Sequence, residues 1–256
     1  MTRRILPVRA LAAAGTVALL VAGLGACSSA EEDKDPDHRS FALRGTTLTV
    51  DADDSALEIV AADGNAPGEV EVDRWFQGSV ALGSGPEVTW SMDGDRLKLR
   101  TRCSGLFADC ATRHRVEVPR GVTVTVRTDD GSVRARGFRD ALDIRTADGS
   151  VRVSDTTGPL TLHSDDGSLR AQVSSPRIDA STEDGSVRLE LGAVPELVDT
   201  RSDDGSVTVD LPRATYKVSA KSDDGAVRVS VPKDDTSPHV VNARTRDGKV
   251  TVRTAN

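Results

Sequence analysis

Seven carboxylates stand one residue ahead of seven glycines in the second half of this 256-residue chain: Asp130, Asp148, Asp166, Asp184, Asp204, Asp224 and Asp247. Carboxylates repeated at one place in a turn suit a hard cation such as calcium, which takes carboxylate and carbonyl oxygens. A pair of them in a cleft suits chemistry at a glycosidic bond, provided their surroundings push their pKa values apart. Columns of the opposite sign argue for a plainer role. Four residues before each glycine stand Arg127, Arg145, His163, Ser181, Arg201, Lys221 and Arg244. Three after it stand Arg134, Arg152, Arg170, Arg188, Thr208, Arg228 and Thr251. Compensated charge at a solvated turn needs no metal. The repeat also lacks the glycine-rich nonapeptide of calcium-binding β-rolls. No metal and no cofactor is therefore expected, with a calcium-dependent surface-binding protein as the alternative.

Other chemistry is thinly represented. His38, His114, His163 and His239 are scattered at spacings that fit no metal motif. The chain contains no Gly-x-Ser-x-Gly elbow, phosphate loop or dinucleotide fingerprint. A polysaccharide-acting β-helix enzyme is the strongest catalytic alternative. It would need a carboxylate pair in a cleft, whereas these acids recur evenly at turns, and the repeats hold only Phe138 and Tyr216 as aromatic platforms for sugar. The expectation is a protein without catalytic residues.

The elements that must position these columns follow from the repeat. The glycines Gly131, Gly149, Gly167, Gly185, Gly205, Gly225 and Gly248 recur every 18 residues at first and then every 20 and 23. Such a period signals stacked supersecondary units. Ser or Thr always stands three before the glycine and Asp one before it. That is turn chemistry, with Asp bonding to downstream backbone and glycine supplying positive φ. Apolar residues alternate on both sides, as in Leu142/Ile144 before Gly149 and Val151/Val153 after it. Each unit thus reads as strand, tight corner, strand.

The return from one unit to the next carries all the length variation, as in Arg136–Ala141, Asp155–Pro159, Gly192–Glu196 and Pro232–His239. A fixed corner with a variable return suggests a solenoid whose insertions project on one side. An antiparallel meander is the competing arrangement, because Asp-Gly is also a hairpin signal. Fourteen strands in one open sheet would be unusually wide.

The run of Asp-Asp-Gly-Ser-Val units, followed by Val-Arg-Val or Val-Thr-Val, resembles the bacterial putative adhesin family over roughly Arg115 to Thr254. The resemblance implies a right-handed β-solenoid on the cell envelope; the repeat period and the less regular segment ahead of it make the expected fold all-β, with 18–23-residue coils and an irregular N-terminal β cap. The resemblance brings no catalytic residues.

Arg3, Arg4 and Arg9 border an apolar stretch from Ala10 to Leu24. That stretch is short for a membrane span of about 20 residues but suits a signal peptide. It ends in Leu24-Gly25-Ala26-Cys27, which looks like a bacterial lipobox, so Cys27 would become the acylated first residue of the mature chain. An ordinary signal peptide is the alternative, and Thr2-Arg3-Arg4 hints at twin-arginine export. Removing residues 1–26 deletes three arginines and no acid, taking the net charge from −7 to −10. So acidic a domain is a poor partner for nucleic acid.

The chain then divides into a signal peptide at 1–26, a disordered acidic tether at 27–40, an irregular β cap at 41–120 and the repeats at 121–256. Leu48/Val50 and Leu57/Ile59 around Asp53-Asp54-Ser55 match the repeat template, with Ser55 in the glycine's place. Val88–Leu99 suggests a hairpin around Met92-Asp93-Gly94-Asp95. Trp75, Phe76 and Trp90 suit the sealing of an exposed core end. Cys103 and Cys110 enclose a short loop in an exported chain, which favours a disulfide over two free thiols. The whole reads as a lipid-anchored protein on the extracytoplasmic face of the cell membrane. It would serve as an adhesin, binding or spacer module for a cell-wall polymer or another surface protein.

Overall fold

The computed structural model describes residues 34–64, 66–83 and 85–255. The signal peptide, Cys27 and the first part of the acidic tether lie outside the described residues. The chain runs through β1 (Asp37–Ala42), β2 (Thr47–Ala52), β3 (Ala56–Ala62), the long β4 (Glu69–Gly83), β5 (Glu87–Asp93), β6 (Arg96–Arg102) and the long β7 (Gly105–Pro119). Seven pairs of short strands follow, two to a coil. They are β8 (Thr123–Thr128) with β9 (Val133–Arg136), β10 (Leu142–Thr146) with β11 (Val151–Ser154), and β12 (Leu160–Ser164) with β13 (Leu169–Val173). After them come β14 (Arg177–Thr182) with β15 (Val187–Leu191), and β16 (Leu197–Ser202) with β17 (Val207–Leu211). The last are β18 (Lys217–Ser222) with β19 (Val227–Val229), and β20 (Val240–Thr245) with β21 (Val250–Thr254).

Strands before the corner glycines form one sheet and strands after them form the other, and successive coils pair in parallel. Leu142 and Ile144 lie beside Val124 and Val126 on one side and Leu160 and Leu162 on the other. Val151 and Val153 sit between Val133/Ala135 and Leu169/Ala171. This is the β-solenoid and not the meander. The inward residues of both sheets form one buried apolar column, and the residues between them are largely exposed. Each fully buried aliphatic side chain contributes about 1.5–3 kcal/mol. A single coil, with some four of them half covered, could not stand alone.

Neighbouring coils follow chain order only in the middle of the stack. At the C-terminal end the sheets run β17-β21-β19 and β16-β20-β18, so the last coil is inserted between its two predecessors. A strict in-order stack of consecutive copies is thereby corrected. After β17 the chain skips one layer, builds β18 and β19, and returns through Pro232–His239 to fill the gap. Tyr216 holds this crossover: it is fully buried, donates its hydroxyl to the Pro212 carbonyl at 2.8 Å, and meets the His239 ring edge-on. His239 in turn lies 2.8 Å from the Pro195 carbonyl. The outermost coil is left with one side uncovered. Val227 is 42% exposed, whereas the matching Val187, Val207 and Val250 are no more than 1% exposed.

The N-terminal end shows the same device. The coil of β2 and β3 lies between β8/β9 on one side and β6/β7 on the other, although β6 and β7 come later in the chain. β5 closes one sheet as an antiparallel hairpin partner of β6, with Gly94 at φ 60° in its turn, and β4 and β1 close the other. Trp90 packs against the core end with its ring edge-on to Phe41, centroids 6.3 Å apart. Trp75 does not seal the core: it alternates outward from the buried Val70 and Val72 and lies under the Arg113 guanidinium. Cys103 and Cys110 are joined by a disulfide across the β6–β7 connection, with Cα atoms 6.3 Å apart.

The tether also ends earlier than its composition suggested. Asp37–Ser40 belong to β1, where pairing with β4 satisfies their backbone groups. Their charges find partners there too, Asp37 with Arg74 at 2.6 Å and His38 with Asp73 at 2.8 Å.

The repeat glycines do not supply positive φ, as the turn chemistry suggested; among the described residues that conformation occurs at Gly68, Gly83, Gly94, Gly105, Gly121, Gly137 and Asp155 instead. At the corners the constraint is space. A Cβ on Gly167 would lie 2.1 Å from the Gly149 carbonyl oxygen, and one on Gly205 would lie 1.9 Å from that of Gly185. Gly167→Ala is therefore expected to destabilise the protein by about 1–3 kcal/mol. Gly64→Ala, where nothing lies within 4 Å, should stay within about 0.5 kcal/mol of the parent. Denaturant unfolding of the two variants checks this, and equal midpoints would contradict it.

His114 is buried in β7 with neither ring nitrogen hydrogen-bonded. Burial, aided by the charge of Arg74, lowers its pKa from 6.5 to about 3. The unfolded chain thus takes up a proton below about pH 6.5 that the folded chain does not, and stability is lost as pH falls through that window toward 3. His114→Leu should shrink the stability difference between about pH 7 and about pH 5, read by denaturant midpoints. An undiminished difference would show that another group dominates.

Candidate functional site

The corner of each coil is built by a hydroxyl. Thr146 Oγ1 accepts the Gly149 amide at 3.0 Å and donates to the Asp129 carbonyl of the coil beneath at 3.0 Å. Ser164 accepts from Gly167 at 2.8 Å and donates to the Ala147 carbonyl at 3.1 Å, and Ser202 accepts from Gly205 and donates to the Gly185 carbonyl, both at 2.8 Å. Thr128, Thr182, Ser222 and Thr245 donate downward in the same way. Every one of these hydroxyls clamps its coil to the neighbouring one, and those of Thr146, Ser164, Thr182, Ser202 and Ser222 also close their own turns. These side chains were legible in the sequence only as turn formers. Their burial in six of the seven coils is what marks them as a column between coils.

With the corners stacked in this way, Asp130, Asp148, Asp166, Asp184, Asp204, Asp247 and Asp224 form an exposed ladder in that spatial order. Rungs lie about 4.8 Å apart, as neighbouring strands do. The pKa of Asp166 is raised, first by lost hydration at the crowded corner and then by the charges of Asp148 and Asp184. Asp130 is raised by the same loss and by Asp54 and Asp148. Asp247 is raised by lost hydration and by Asp204, with Asp224 adding. Among the described residues, no group of three or more His, Cys, Asp or Glu is arranged to hold a metal ion.

The basic columns divide their work unevenly. The column four before the glycine pairs mainly with acids two before it. Arg201 lies 3.4 Å from Asp203, Lys221 2.7 Å from Asp223, and His163 3.3 Å from Asp165. Arg145 instead bonds Asp143 on its own strand at 3.2 Å. Arg244 also reaches Asp223, at 3.6 Å, so most of this column is paired, and Arg127 has no such partner among the described residues.

The column three after the glycine behaves otherwise. Arg134, Arg152, Arg170 and Arg188 are exposed and in register on β9, β11, β13 and β15. Arg188 reaches Asp210 at 3.3 Å, and Arg253 is bonded to the same carboxylate. Arg134, Arg152 and Arg170 have no ion-pair or hydrogen-bond partner among the described residues. The expectation that both columns compensate the ladder is thus corrected. The side chains three after the glycine project from the strand face, while the ladder stands on the corner. Beside the arginines run Ser132, Ser150, Ser168 and Ser186, and together they line a shallow groove of about 310 Å³.

The four histidines are far from forming one site. His38 lies beside Asp73, whose hydrogen bond raises the imidazole pKa, His114 is enclosed in the cap, His163 bonds Ser181, and His239 serves the crossover. Asp166 and Asp184 stand exposed on an open corner.

Two solved structures are similar over most of this chain. One is a putative cell adhesion protein from Clostridium sporogenes, 11% identical, with 86% of this chain and all of that one covered at a TM-score of 0.36. The other is a putative adhesin from Bacteroides fragilis, 13% identical, with 89% of this chain and all of that one covered at a TM-score of 0.39. No curated protein matches the chain. The family model described as Toastrack DUF4097 matches residues 109–256, which span the end of β7 and all seven glycine corners. The chain belongs to the Toastrack DUF4097 family.

Proposed function

We propose that this protein is a lipid-anchored, non-catalytic surface module that presents a rigid β-solenoid from the extracytoplasmic face of the cell membrane and binds another envelope component. The observation that supports it best is the surface itself: in-register columns of charge on a β-solenoid scaffold, with no convergence of nucleophile, base and oxyanion donors among the described residues. A column repeated every strand spacing suits an extended partner contacted many times, as an adhesin or wall-binding module requires. Anchoring rests on the Leu24-Gly25-Ala26-Cys27 sequence, and the acidic stretch after Cys27 holds the fold off the bilayer. The calcium-dependent reading has less support, because the carboxylates of the ladder share a row without enclosing a cavity.

The anchor is tested by Cys27→Ala. The variant should leave the membrane fraction and lose the mass of its acyl chains, read by fractionation and intact-mass spectrometry. A variant that stays membrane-bound would remove the lipoprotein reading.

The ladder gives a second test. Raised folded pKa values mean that ionising these carboxylates costs the folded state stability at neutral pH, through lost hydration first and repulsion along the ladder second, and this penalty fades as pH falls toward 3.8. Asp166→Asn is expected to raise the melting midpoint at neutral pH and low salt, with the gain shrinking in acid and in high salt. Calcium in place of a chelator should leave the parent's midpoint unchanged; a calcium-dependent rise would favour the metal reading, since a ligand bound only by the folded form raises it.

A further inference from the structure

Resting on the binding-module reading above, we infer that the column Arg134, Arg152, Arg170 and Arg188 is the binding face for a linear polyuronate, a polysaccharide carrying one carboxylate on each sugar ring. Three observations carry this. The first is unused charge in a row: three of these four guanidinium groups, on adjacent strands, have no partner among the described residues, whereas in the column four before the glycine Arg145, His163, Arg201, Lys221 and Arg244 are paired and Arg127 is not. An arginine fork matches a carboxylate in two parallel hydrogen bonds, which a lysine column would not do.

The second is spacing. Parallel pairing in register sets the guanidinium stems one strand spacing apart, about 4.8 Å. In an extended two-fold chain of pyranose rings every second ring turns its carboxylate to the same side, so carboxylates on one face recur at about twice the strand spacing and meet every second rung. An acidic peptide strand repeats its same-face side chains at about twice 3.3 Å and falls out of step. Alongside, Ser132, Ser150, Ser168 and Ser186 place a hydroxyl at each rung; those of Ser168 and Ser186 accept an amide of the next coil and keep their protons to donate to ring hydroxyls.

The third is what the face lacks. Phe138 and Tyr216 are the two aromatic residues of the repeats, and they are 2% and 0% exposed. Neutral sugars are gripped by aromatic platforms, and single-stranded nucleic acid by base stacking on them. Neither contact is on offer here, so recognition must come from charge and hydroxyl hydrogen bonds. The chain as a whole is acidic at −7. Attraction is therefore local to the column and screened within about 10 Å at 0.1 M salt.

The test uses the full chain in detergent, with polygalacturonate as the probe and three controls: the same polymer with its carboxyls reduced, poly(dT), and envelope fragments from the cells that make the protein. Parent protein should bind polygalacturonate, bind neither the reduced polymer nor poly(dT), and lose affinity with added salt. R152Q with R170Q should weaken binding on the order of tenfold or more. R127Q with R145Q, on the opposite face, should leave it unchanged, and all variants should keep the parent's melting midpoint. The inference is overturned if the parent does not bind polygalacturonate, if the reduced polymer or poly(dT) binds equally, or if both pairs of variants lose affinity alike. Envelope fragments that hold the parent and R152Q with R170Q equally would overturn the arginine face while leaving the binding-module reading standing. Fragments that hold neither, with no binding to polygalacturonate, would overturn both.

Discussion

Everything in this fold depends on how closely one coil corner approaches the next. At Gly167 the backbone lies so near the Gly149 carbonyl that a single methyl would have no room, and at the same point Ser164 is spent on two bonds, one within the turn and one to the coil below. Such a contact is possible only when the strands on both sides are in register. Register, in turn, is enforced by the period-2 pattern, because a slip of one residue would turn Leu160 and Leu162 to solvent. The corner and the apolar column thus specify the same arrangement. That agreement between local and global preference is what makes a sequence fold to one structure.

Register has an electrostatic consequence. Parallel in-line stacking places identical residues beside each other, so any charge chosen for one coil is repeated against itself. On the strands before the corner, the chain mixes acids and bases and most of the column closes into ion pairs. On the corner, lost hydration and the charge of neighbouring aspartates raise the pKa values of Asp130, Asp166 and Asp247. On the strands after the corner, Arg134, Arg152 and Arg170 stand in a row without an ion pair, bounded by Glu58, which lies beside Arg134 but pairs with Arg113, and by Asp210, which pairs with Arg188. A repeat protein does not neutralise such a column by chance, since each coil would need its own acid.

The ends obey a different rule from the middle. Both leave chain order and insert one coil between two others, β2/β3 near the start and β20/β21 near the finish. Inserting a coil satisfies backbone donors and acceptors on both of its edges at once. At the C-terminal end a gap of one layer is left by β18 and β19 and filled afterwards by β20 and β21, whereas at the N-terminal end later strands are added on both sides of β2 and β3. Tyr216, His239 and the two flanking prolines, Pro195 and Pro212, provide the fixed points at the C-terminal gap. The N-terminal end finishes with antiparallel strands and Trp90 over the core, whereas the C-terminal coil keeps Val227 partly in solvent.

From the sequence alone, the strand–corner–strand unit, its seven copies, the inward residues and the positions of the charged columns were all legible, because alternation and spacing are local properties. Ser55 was recognisable as a displaced corner for the same reason, and Gly131 does stack on its carbonyl. Three things were not. The glycines were needed for clearance between coils and not for φ, which depends on a neighbour 18 residues away. The order of the end coils depends on which edges remain unpaired, a property of the assembled sheets. Which charges are spent and which remain available depends on partners brought close by stacking: Arg201 and Arg152 look alike in the repeat, yet one faces an acid and the other faces water. Sequence specifies what each coil can offer, and only packing decides what its neighbour takes.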